Sequence, residues 1–430
     1  MNRPAVIIQL AAAVAILITA GCGTLPKDFD RPASYALTGT EDTHFGREHA
    51  AERATHPGKS GFHLLADGLN AFVARAEMSF FAERSIDAQY YLYHNDLVGK
   101  LFSHMLLKAA DRGVRVRLLV DDMDFAGRDL EVFAMDSHLN MEVRIFNPFS
   151  RSVSRSSQFV TRLGSVTRRM HNKSFTVDNQ LTILGGRNIG NEYFGADPDL
   201  AFADLDVLVI GPVAKEISAV FDRYWNSELA YPASVLYRGE PPTPEQIREQ
   251  REQLNHFVAD QHDSEYLQEL RNSDLANQIR NKQVAFKWGD AAVVFDEPEK
   301  LQHDFSKTEY HLEPKLAPYM DGVKKELIIF SPYFVPGKPG TAFLVQLAQR
   351  GVRVRILTNS LASNDVGIVH AGYQKYRKKL LQGGVELYEL NKQLSRTERK
   401  KKGRSGSTKA SLHAKSFVFD RKQVFIGSLN

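Results

Sequence analysis

One pattern of six positions occurs twice in this chain and constrains its fold more than any other feature. The pattern reads H-x-K-x4-D-x6-G-[GS]-x-N. A single copy would most simply be a solvated strand edge, but two copies with identical internal spacing indicate one structural unit used twice. The first copy is His171, Lys173, Asp178, Gly185, Gly186 and Asn188, and the second is His413, Lys415, Asp420, Gly427, Ser428 and Asn430.

Similarity between the two halves extends beyond this motif. Residues 110–119 (ADRGVRVRLL) are repeated as residues 348–357 (AQRGVRVRIL). In each half a predicted helix ends at a glycine and leads into an apolar strand, and another buried strand precedes the helix. This alternation predicts an α/β fold of two sandwich domains, each with a mixed sheet, packed about a pseudo-twofold axis with both motifs in one cleft. The Arg-Val-Arg strands are expected to be amphipathic, with a solvated or headgroup-facing side.

Each motif is predicted to fold as a β-hairpin. Apolar residues fill the two strands of the first motif around a tight turn centred between Asn179 and Gln180. Side chains two apart on one strand share a face, so the imidazole, ammonium and amide of a motif converge on one patch. The predicted cross-strand pairs are His171 with Asn188, Lys173 with Gly186, and His413 with Asn430.

The glycine and the aspartate of each motif have different expected tasks. Gly186 forms a floor where an anion can approach the backbone closely. Asp178 falls at the first turn position, where its carboxylate can accept backbone N–H bonds. Asp178 and its equivalent Asp420 are therefore expected to be structural groups rather than bases.

The duplicated motif resembles that of the phospholipase D superfamily, whose members make or break phosphodiesters through a covalent phosphohistidine. Neither motif carries clustered metal ligands, and the only cysteine is Cys22, so neither a metal nor another cofactor is expected. The resemblance also implies a carboxylate that orients a catalytic histidine, which in the first half is assigned to Asp204, with Asp206 as the alternative. The resemblance implies a catalytic set of His171, Lys173, Asp178, His413, Lys415 and Asp420, and phosphate contacts from Asn188, Asn430, Gly186 and Ser428.

Longer segments narrow the resemblance to bacterial cardiolipin synthases of the C type. It extends over residues 62–430 and is clearest in 142–149, 168–196, 357–366 and 370–373. The resemblance implies transfer of a phosphatidyl group to phosphatidylglycerol, with phosphatidylglycerol or phosphatidylethanolamine as donor. His171 would attack phosphorus and His413 would move the proton, although these roles could be exchanged. Water as acceptor would give phospholipase D hydrolysis, and a phosphodiesterase or nuclease is the more distant alternative.

The amino terminus predicts export from the cytoplasm. A short basic start at Met1–Arg3 precedes an apolar run over residues 5–20 and small residues around Cys22. This arrangement resembles a bacterial lipoprotein leader cleaved before a lipidated cysteine, with an uncleaved anchor or simple secretion as alternatives. The enzyme would then be anchored to a membrane in the cell envelope of a Gram-negative-type bacterium.

Composition and segment pattern predict the organisation of the chain. With 43% hydrophobic residues in 430, there is ample core for two domains. Because the chain stops at the last motif position, the second domain is expected to be truncated, without a carboxylate and strands that relatives supply further on. The predicted parts are a lipoprotein-type signal (1–22), a flexible spacer (23–60), a first phospholipase D-like domain (61–228), a helical connector (229–290) and a second such domain (291–430).

Positive charge is concentrated locally. The net charge of +4 is mild for a nucleic-acid binder, so phospholipids and a membrane surface are the expected partners. Basic residues cluster ahead of each motif and predict a rim that meets anionic lipid, or else two solvated loops. The sequence predicts no particular oligomeric state. The first basic group is Arg151, Arg155, Arg162, Arg168 and Arg169, and the second is Arg396, Arg399, Lys400, Lys401, Lys402, Arg404 and Lys409.

Overall fold

The computed structural model of the protein describes residues 25–161, 164, 168–304, 306–364, 367–391 and 409–428. Cys22, Asn430, Arg162 and all of the second basic group except Lys409 lie outside the described residues. No helix in the described ranges has both the length and the apolar character needed to cross a membrane.

The first half contains a large mixed sheet with helices on both faces. The first half has ten strands, of which all but β7 belong to this sheet: β1 (Ser60–Leu65), β2 (Ser85–Tyr90), β3 (Arg115–Asp121), β4 (Met141–Phe146), β5 (Ser174–Val177), β6 (Leu181–Gly185), β7 (Leu200–Ala203), β8 (Asp206–Ile210), β9 (Ala230–Pro232) and β10 (Lys287–Gly289). Its helices are α1 (His44–Glu48), α2 (Ala50–Thr55), α3 (Gly68–Phe81), α4 (Leu97–Asp111), α5 (Asp129–Asp136), α6 (Arg155–Thr161), α7 (Asn191–Phe194), α8 (Pro212–Trp225), α9 (Ala233–Leu236), α10 (Pro244–Asp260), α11 (Glu265–Arg271) and α12 (Asp274–Arg280).

Strands of this sheet are apolar on both sides because helices cover both faces. In β8, Val207 and Val209 pack with Val213 of α8. The alternate residues Leu208 and Ile210 belong to the main core, which also contains side chains of α3 and α4. The strand order is β10-β1-β8-β6-β5-β2-β3-β4-β9, and β2, β3 and β4 run parallel to one another.

The second half repeats the central part of the first. Its sheet has the order β13-β12-β11-β15-β16, which corresponds to β4-β3-β2-β5-β6. The predicted α/β class, with two related halves and a mixed sheet in each, is confirmed. Its elements are α13 (Glu313–Asp321), β11 (Glu326–Phe330), α14 (Gly337–Gln349), β12 (Arg353–Asn359), α15 (Gly367–Gln382), β13 (Glu386–Leu390), β14 (Lys409–Leu412), β15 (Lys415–Phe419) and β16 (Gln423–Gly427).

A two-stranded parallel sheet joins the halves. Strand β14, which directly precedes His413, pairs with β7 of the first half, and Leu412 lies opposite Ala203. The backbone N–H of His413 then donates to the carbonyl of Ala203 at 2.8 Å. This pairing brings the second motif to the residue that follows β7, Asp204.

The hairpin prediction was wrong by one residue in register. Val177 pairs with Leu181 and leaves a three-residue turn, instead of the predicted two-residue turn. The turn closes because Asp178 and Asn179 both adopt φ of +52°, a left-handed conformation that these short polar side chains tolerate. In the second motif Lys415 likewise pairs with Gly427. The histidines precede the regular strands, so His171 does not face Asn188 across a ladder.

The predicted flexible spacer is also wrong for the residues that the structure describes. Residues 25–60 pack along the first half, and Phe45 is buried. The N–H of Ala36 donates to Asp222 at 2.9 Å, and Arg53 donates to Gln180 at 2.7 Å. Specific polar contacts hold this segment where its sequence shows no apolar periodicity. At the other end, β10 of the predicted connector pairs with β1, and α10 to α12 pack on α3, α4 and α5.

Several arginines expected on a basic surface are instead buried in ion pairs. Arg117 is 1% exposed and contacts Asp87 and Asp222, whereas its counterpart Arg355 is partly exposed. Acidic side chains at the end of β3 neutralise the first basic group as well. Arg151 and Arg155 both pair with Asp122, and the buried Arg169 contacts Asp121. The predicted basic rim is therefore wrong for Arg151, Arg155 and Arg169.

Candidate active site

The two motifs meet directly at the junction between the halves. His171 lies just before β5, and its Nδ1 is 3.0 Å from the carbonyl oxygen of Ser428. The hydroxyl of Ser428 in turn donates to the carbonyl of His171 at 2.6 Å. The first motif therefore contacts the end of the second motif through two hydrogen bonds, so the two motifs lie at one place in the structure.

His413 is held by a carboxylate from the opposite half of the chain. Its Nδ1 is 2.6 Å from Oδ2 of Asp204, and both side chains are buried. Burial and the nearby Lys415 lower the pKa of His413, against the raising effect of Asp204. Burial opposes ionisation of Asp204, but the hydrogen bond and charge of His413 lower its pKa overall. A neutral imidazole that donates from Nδ1 to a carboxylate keeps its lone pair on Nε2.

The alternative carboxylate, Asp206, belongs to a structural ion pair. Its Oδ2 accepts from Arg75 at 2.8 Å, and both side chains are fully buried. Its Oδ1 accepts from the backbone N–H of Arg187. Of the two carboxylates considered from the sequence, Asp204 is the one that contacts a motif histidine, and that histidine is His413 rather than His171.

Both motif lysines are buried beside the histidines. Lys173 Nζ donates to the carbonyl of His171 at 2.7 Å, and Lys415 Nζ lies 3.5 Å from Nε2 of His413. Burial and the proximity of Lys415 lower the pKa of Lys173 well below its ordinary value. Burial, Lys173 and Lys415 likewise lower the pKa of His171, which keeps a partly exposed side. The charge of Lys415 disfavours a charge on Lys173, so an anion between the two lysines would be favoured.

The aspartates of the motif join each hairpin to the strand beside it. Asp178 accepts the backbone N–H groups of Glu83, Arg84 and Ser85 at 2.7–3.1 Å. Asp420 accepts the equivalent groups at residues 324–326. Burial raises the pKa of Asp178. Asp420 is partly exposed, and its backbone hydrogen bonds lower its pKa. Their carboxylates thus occupy the structural positions expected from the turn.

The predicted phosphate contacts are only partly available. The N–H of Gly186 donates to the carbonyl of Leu205, and a Cβ at this position would lie 2.1 Å from Oδ1 of Asp204. Gly186 is therefore needed to admit the Asp204 carboxylate, and its assignment as a floor for an anion was wrong. Asn188 accepts from the Leu92 N–H through Oδ1 and donates one Nδ2–H to the Tyr193 hydroxyl. Only its second N–H is left for a phosphate oxygen.

Aromatic side chains that the sequence reasoning missed surround both histidines. The His413 ring lies 5.1 Å from Phe202 and 5.2 Å, edge-on, from Tyr193. The His171 ring lies 4.9 Å from Tyr91. A signal for one of these residues was present in the repeat: Tyr91 and Tyr333 are 333 − 91 = 242 residues apart, the same separation as the two histidines (413 − 171 = 242).

A histidine outside the motifs, His94, holds helix α7, which carries Tyr193. Its Nδ1 lies 2.6 Å from Asp124, and its Nε2 lies 3.0 Å from Glu192. The hydrogen bonds to Asp124 and Glu192 raise the pKa of His94 to about 10. This imidazolium therefore joins the segment after β2, the segment after β3 and helix α7 beside the site. Among the described residues, no group of three or more histidines, cysteines and carboxylates could hold a metal ion.

Comparison with known proteins identifies the family. A family described as "Cardiolipin synthase, PLD-like domain" matches residues 81–225 and 316–430, which include both motifs. The chain belongs to this phospholipase D-like family. The family and the class of phospholipase D-type phosphatidyltransferase predicted from the sequence are confirmed.

Relatives of this cardiolipin synthase family member cover most of its length. Cardiolipin synthase C of Escherichia coli (strain K12) is 41% identical over 87% of this chain and 79% of its own. An uncharacterized protein of Helicobacter pylori (strain ATCC 700392 / 26695) is 34% identical over 90% of this chain and 76% of its own. The crystal structure of phosphatidylserine synthase from Haemophilus influenzae Rd KW20 has a TM-score of 0.50 at 12% identity, over 87% of this chain and 80% of that one. The similarity to this phosphatidylserine synthase structure concerns the fold alone.

Proposed function

We propose that this protein transfers a phosphatidyl group between phospholipids through a phosphohistidine and so makes cardiolipin. The observation that carries the proposal is that each motif histidine contacts the opposite half of the chain: His171 contacts Ser428, and His413 contacts Asp204. Two imidazoles in one site allow one to hold the phosphatidyl group while the other moves protons. The 41% identity to a protein named cardiolipin synthase C supports this choice of reaction.

The environments of the histidines favour one division of roles. His413 is the better acid and base, because a carboxylate 2.6 Å from Nδ1 stabilises the protonated ring that forms when Nε2 takes a proton. His171 then attacks phosphorus, and the bond to the leaving alcohol breaks as His413 donates a proton to it. In the second step the acceptor hydroxyl gives its proton to His413, and its oxygen displaces His171 from phosphorus.

The lysines explain how proton transfer is coupled to substrate binding. In the free protein, burial and Lys415 keep the pKa of His413 low. An anionic phosphodiester between Lys173 and Lys415 would offset their charges and allow His413 to become protonated. The same ammonium groups stabilise the negative charge on the non-bridging oxygens as phosphorus becomes five-coordinate. Phosphatidylglycerol as acceptor, and phosphatidylglycerol or phosphatidylethanolamine as donor, are part of the proposal.

Lipid analysis of cells tests the reaction. The full-length protein is expressed in bacteria that lack their own cardiolipin synthases, and total lipids are measured by mass spectrometry. Cardiolipin is expected with the wild type and with the exposed-histidine control His262→Ala, whereas His171→Ala and His413→Ala should each give none. Phosphatidic acid without cardiolipin would indicate hydrolysis. Labelled phosphate trapped on His413 instead of His171 would reverse the assigned roles.

We further propose that the enzyme is anchored to a membrane of the bacterial envelope through a lipidated Cys22. The first described residue, Leu25, already packs against the core of the first half. An anchor at Cys22 would therefore hold the first half close to the bilayer, without the long tether expected from the sequence. Cys22→Ser should abolish acyl labelling and leave an unprocessed precursor, and unchanged processing would contradict the anchor.

We also propose that the chain is divided into a first domain at 61–228 and a second domain at 291–430, joined by the connector 229–290.

A further inference from the structure

Two tyrosines occupy equivalent positions beside the two motif lysines. Tyr91 directly follows β2, and Tyr333 follows β11, its counterpart in the second half. Lys173 Nζ lies 5.2 Å from the centre of the Tyr91 ring, and Lys415 Nζ lies 5.8 Å from the centre of the Tyr333 ring. Both separations fall within the range of a cation–π contact, and both rings remain partly exposed.

Tyr91 also borders the histidine of its own half. The rings of Tyr91 and His171 are 4.9 Å apart and tilted by 51°. The Tyr91 hydroxyl makes no hydrogen bond to another residue in the described part of the chain. Burial and the nearby Asp121 raise the pKa of this hydroxyl, so it stays protonated at neutral pH. Tyr91 thus offers a ring face and an O–H donor beside the group that would carry the phosphatidyl intermediate.

Among the described residues, Tyr91 is not one of those that pack in or against a hydrophobic core cluster. Its ring meets the two reactive groups of the first motif, whereas neighbouring Tyr90 and Tyr93 are buried and pack on Phe102. A partly exposed aromatic residue whose ring contacts both reactive groups is placed to contact a substrate.

We propose that Tyr91 and Tyr333 are specificity-determining residues that favour a glycerol hydroxyl over water as the acceptor. This inference rests on the proposed phosphatidyl transfer. The phosphatidyl–His171 intermediate is broken in the same way by either acceptor: oxygen bonds to phosphorus, the P–N bond breaks, and the acceptor proton goes to His413. Chemistry alone therefore does not separate cardiolipin from phosphatidic acid. The space beside the intermediate has to exclude water and hold a glycerol group instead.

The pair of rings suits two similar alcohols that occupy one place in turn. Each displacement is in line with the P–N bond to His171, so the leaving and the incoming alcohols bind on the same side of phosphorus, next to His413. With phosphatidylglycerol as donor and acceptor, the alcohol lost is glycerol and the one gained carries a glycerol headgroup. Both alcohols therefore need an apolar wall for the same kind of C–H groups, which the two rings would supply. Each ring also lies beside the lysine that would hold a phosphate oxygen.

The test measures which product forms, not only how much. The full-length protein and its variants are assayed with vesicles of pure phosphatidylglycerol, and cardiolipin and phosphatidic acid are quantified together. Tyr91→Ala and Tyr333→Ala should each raise the ratio of phosphatidic acid to cardiolipin about ten-fold or more, the scale on which a lost pocket contact changes discrimination. Tyr91→Phe keeps the ring and should raise the ratio much less. The surface variant Tyr35→Ala, at a residue 63% exposed, should match the wild type.

The other outcomes separate the two proposals. If the wild type makes cardiolipin but Tyr91→Ala and Tyr333→Ala lose both products in equal proportion, or leave the ratio unchanged, the tyrosines do not choose the acceptor. Thermal unfolding of each variant, and Tyr91→Leu as a second variant that fills the same space, apply the same criterion if the alanine variant folds poorly. If the wild type itself makes only phosphatidic acid, both the proposed transfer and the exclusion of water are wrong.

Discussion

Replacing Asp204 with asparagine isolates the charge that acts on His413. Asparagine has nearly the shape of aspartate, and the space left by Gly186 admits it equally well. The change removes the charge from a hydrogen bond of 2.6 Å between buried partners. Hydrogen bonds to charged groups contribute about 1.5–3 kcal/mol. If that energy acts on the protonated form of His413 in the transition state, turnover falls by roughly 10- to 150-fold.

Asparagine can have a second effect on the same histidine. Its NH₂ group can donate to Nδ1 of His413, which would move the ring proton to Nε2 and remove the lone pair needed there. The estimate from charge alone is therefore a lower limit. The assay is the initial rate of cardiolipin formation from phosphatidylglycerol vesicles, normalised to folded protein. A variant that keeps more than about a third of the wild-type rate would refute the proposed role of Asp204.

Asp206→Asn is the matched control, two residues away. Asp206 pairs with the buried Arg75 at 2.8 Å, and removing one partner of a buried ion pair costs about 3–5 kcal/mol of stability. Urea unfolding should therefore show a larger loss of stability for Asp206→Asn than for Asp204→Asn. The rate of cardiolipin formation, measured where both variants are folded, should show the opposite order, with the larger loss for Asp204→Asn. Equal effects on both properties would mean that Asp204 is only structural.

Two further predictions follow from the same surroundings. Gly186→Ala should lose activity, because the added Cβ would displace Asp204. The control Gly289→Ala should keep normal activity, since nothing lies within 4 Å of a Cβ at that position. A normal rate for Gly186→Ala would contradict the close approach of Asp204 to Gly186. His94 has a folded pKa of about 10, above its ordinary value, so its contribution to stability is complete below pH ~6.5 and is lost as pH rises through about 10. Unfolding measured from pH 7 to 10 should thus show a steeper decline for the wild type than for His94→Gln, and parallel curves would exclude a raised pKa.

The repeat predicted the parts of the fold that depend on local pattern. Apolar periodicity and the glycine after each helix marked α4, α14, β3 and β12, because these signals act within a few residues. The turn register was missed, since it depends on Asp178 and Asn179 both adopting left-handed conformations. The segment over residues 25–60 was missed because polar contacts such as Ala36 to Asp222 hold it in place. Such contacts leave no periodic trace in a sequence.

The sequence by itself determined the chemistry: two histidines and two lysines at matched spacing, and a carboxylate near residue 204. Only the tertiary structure decided the partners. Asp204 reaches His413 across the halves because β14 adds to β7, and no spacing along the chain reveals that pairing. The charge of the arginines was likewise visible in the sequence, but its location was not. Arg117 and Arg169 are buried because carboxylates distant in sequence meet them in the fold, where unpaired charge would be too costly.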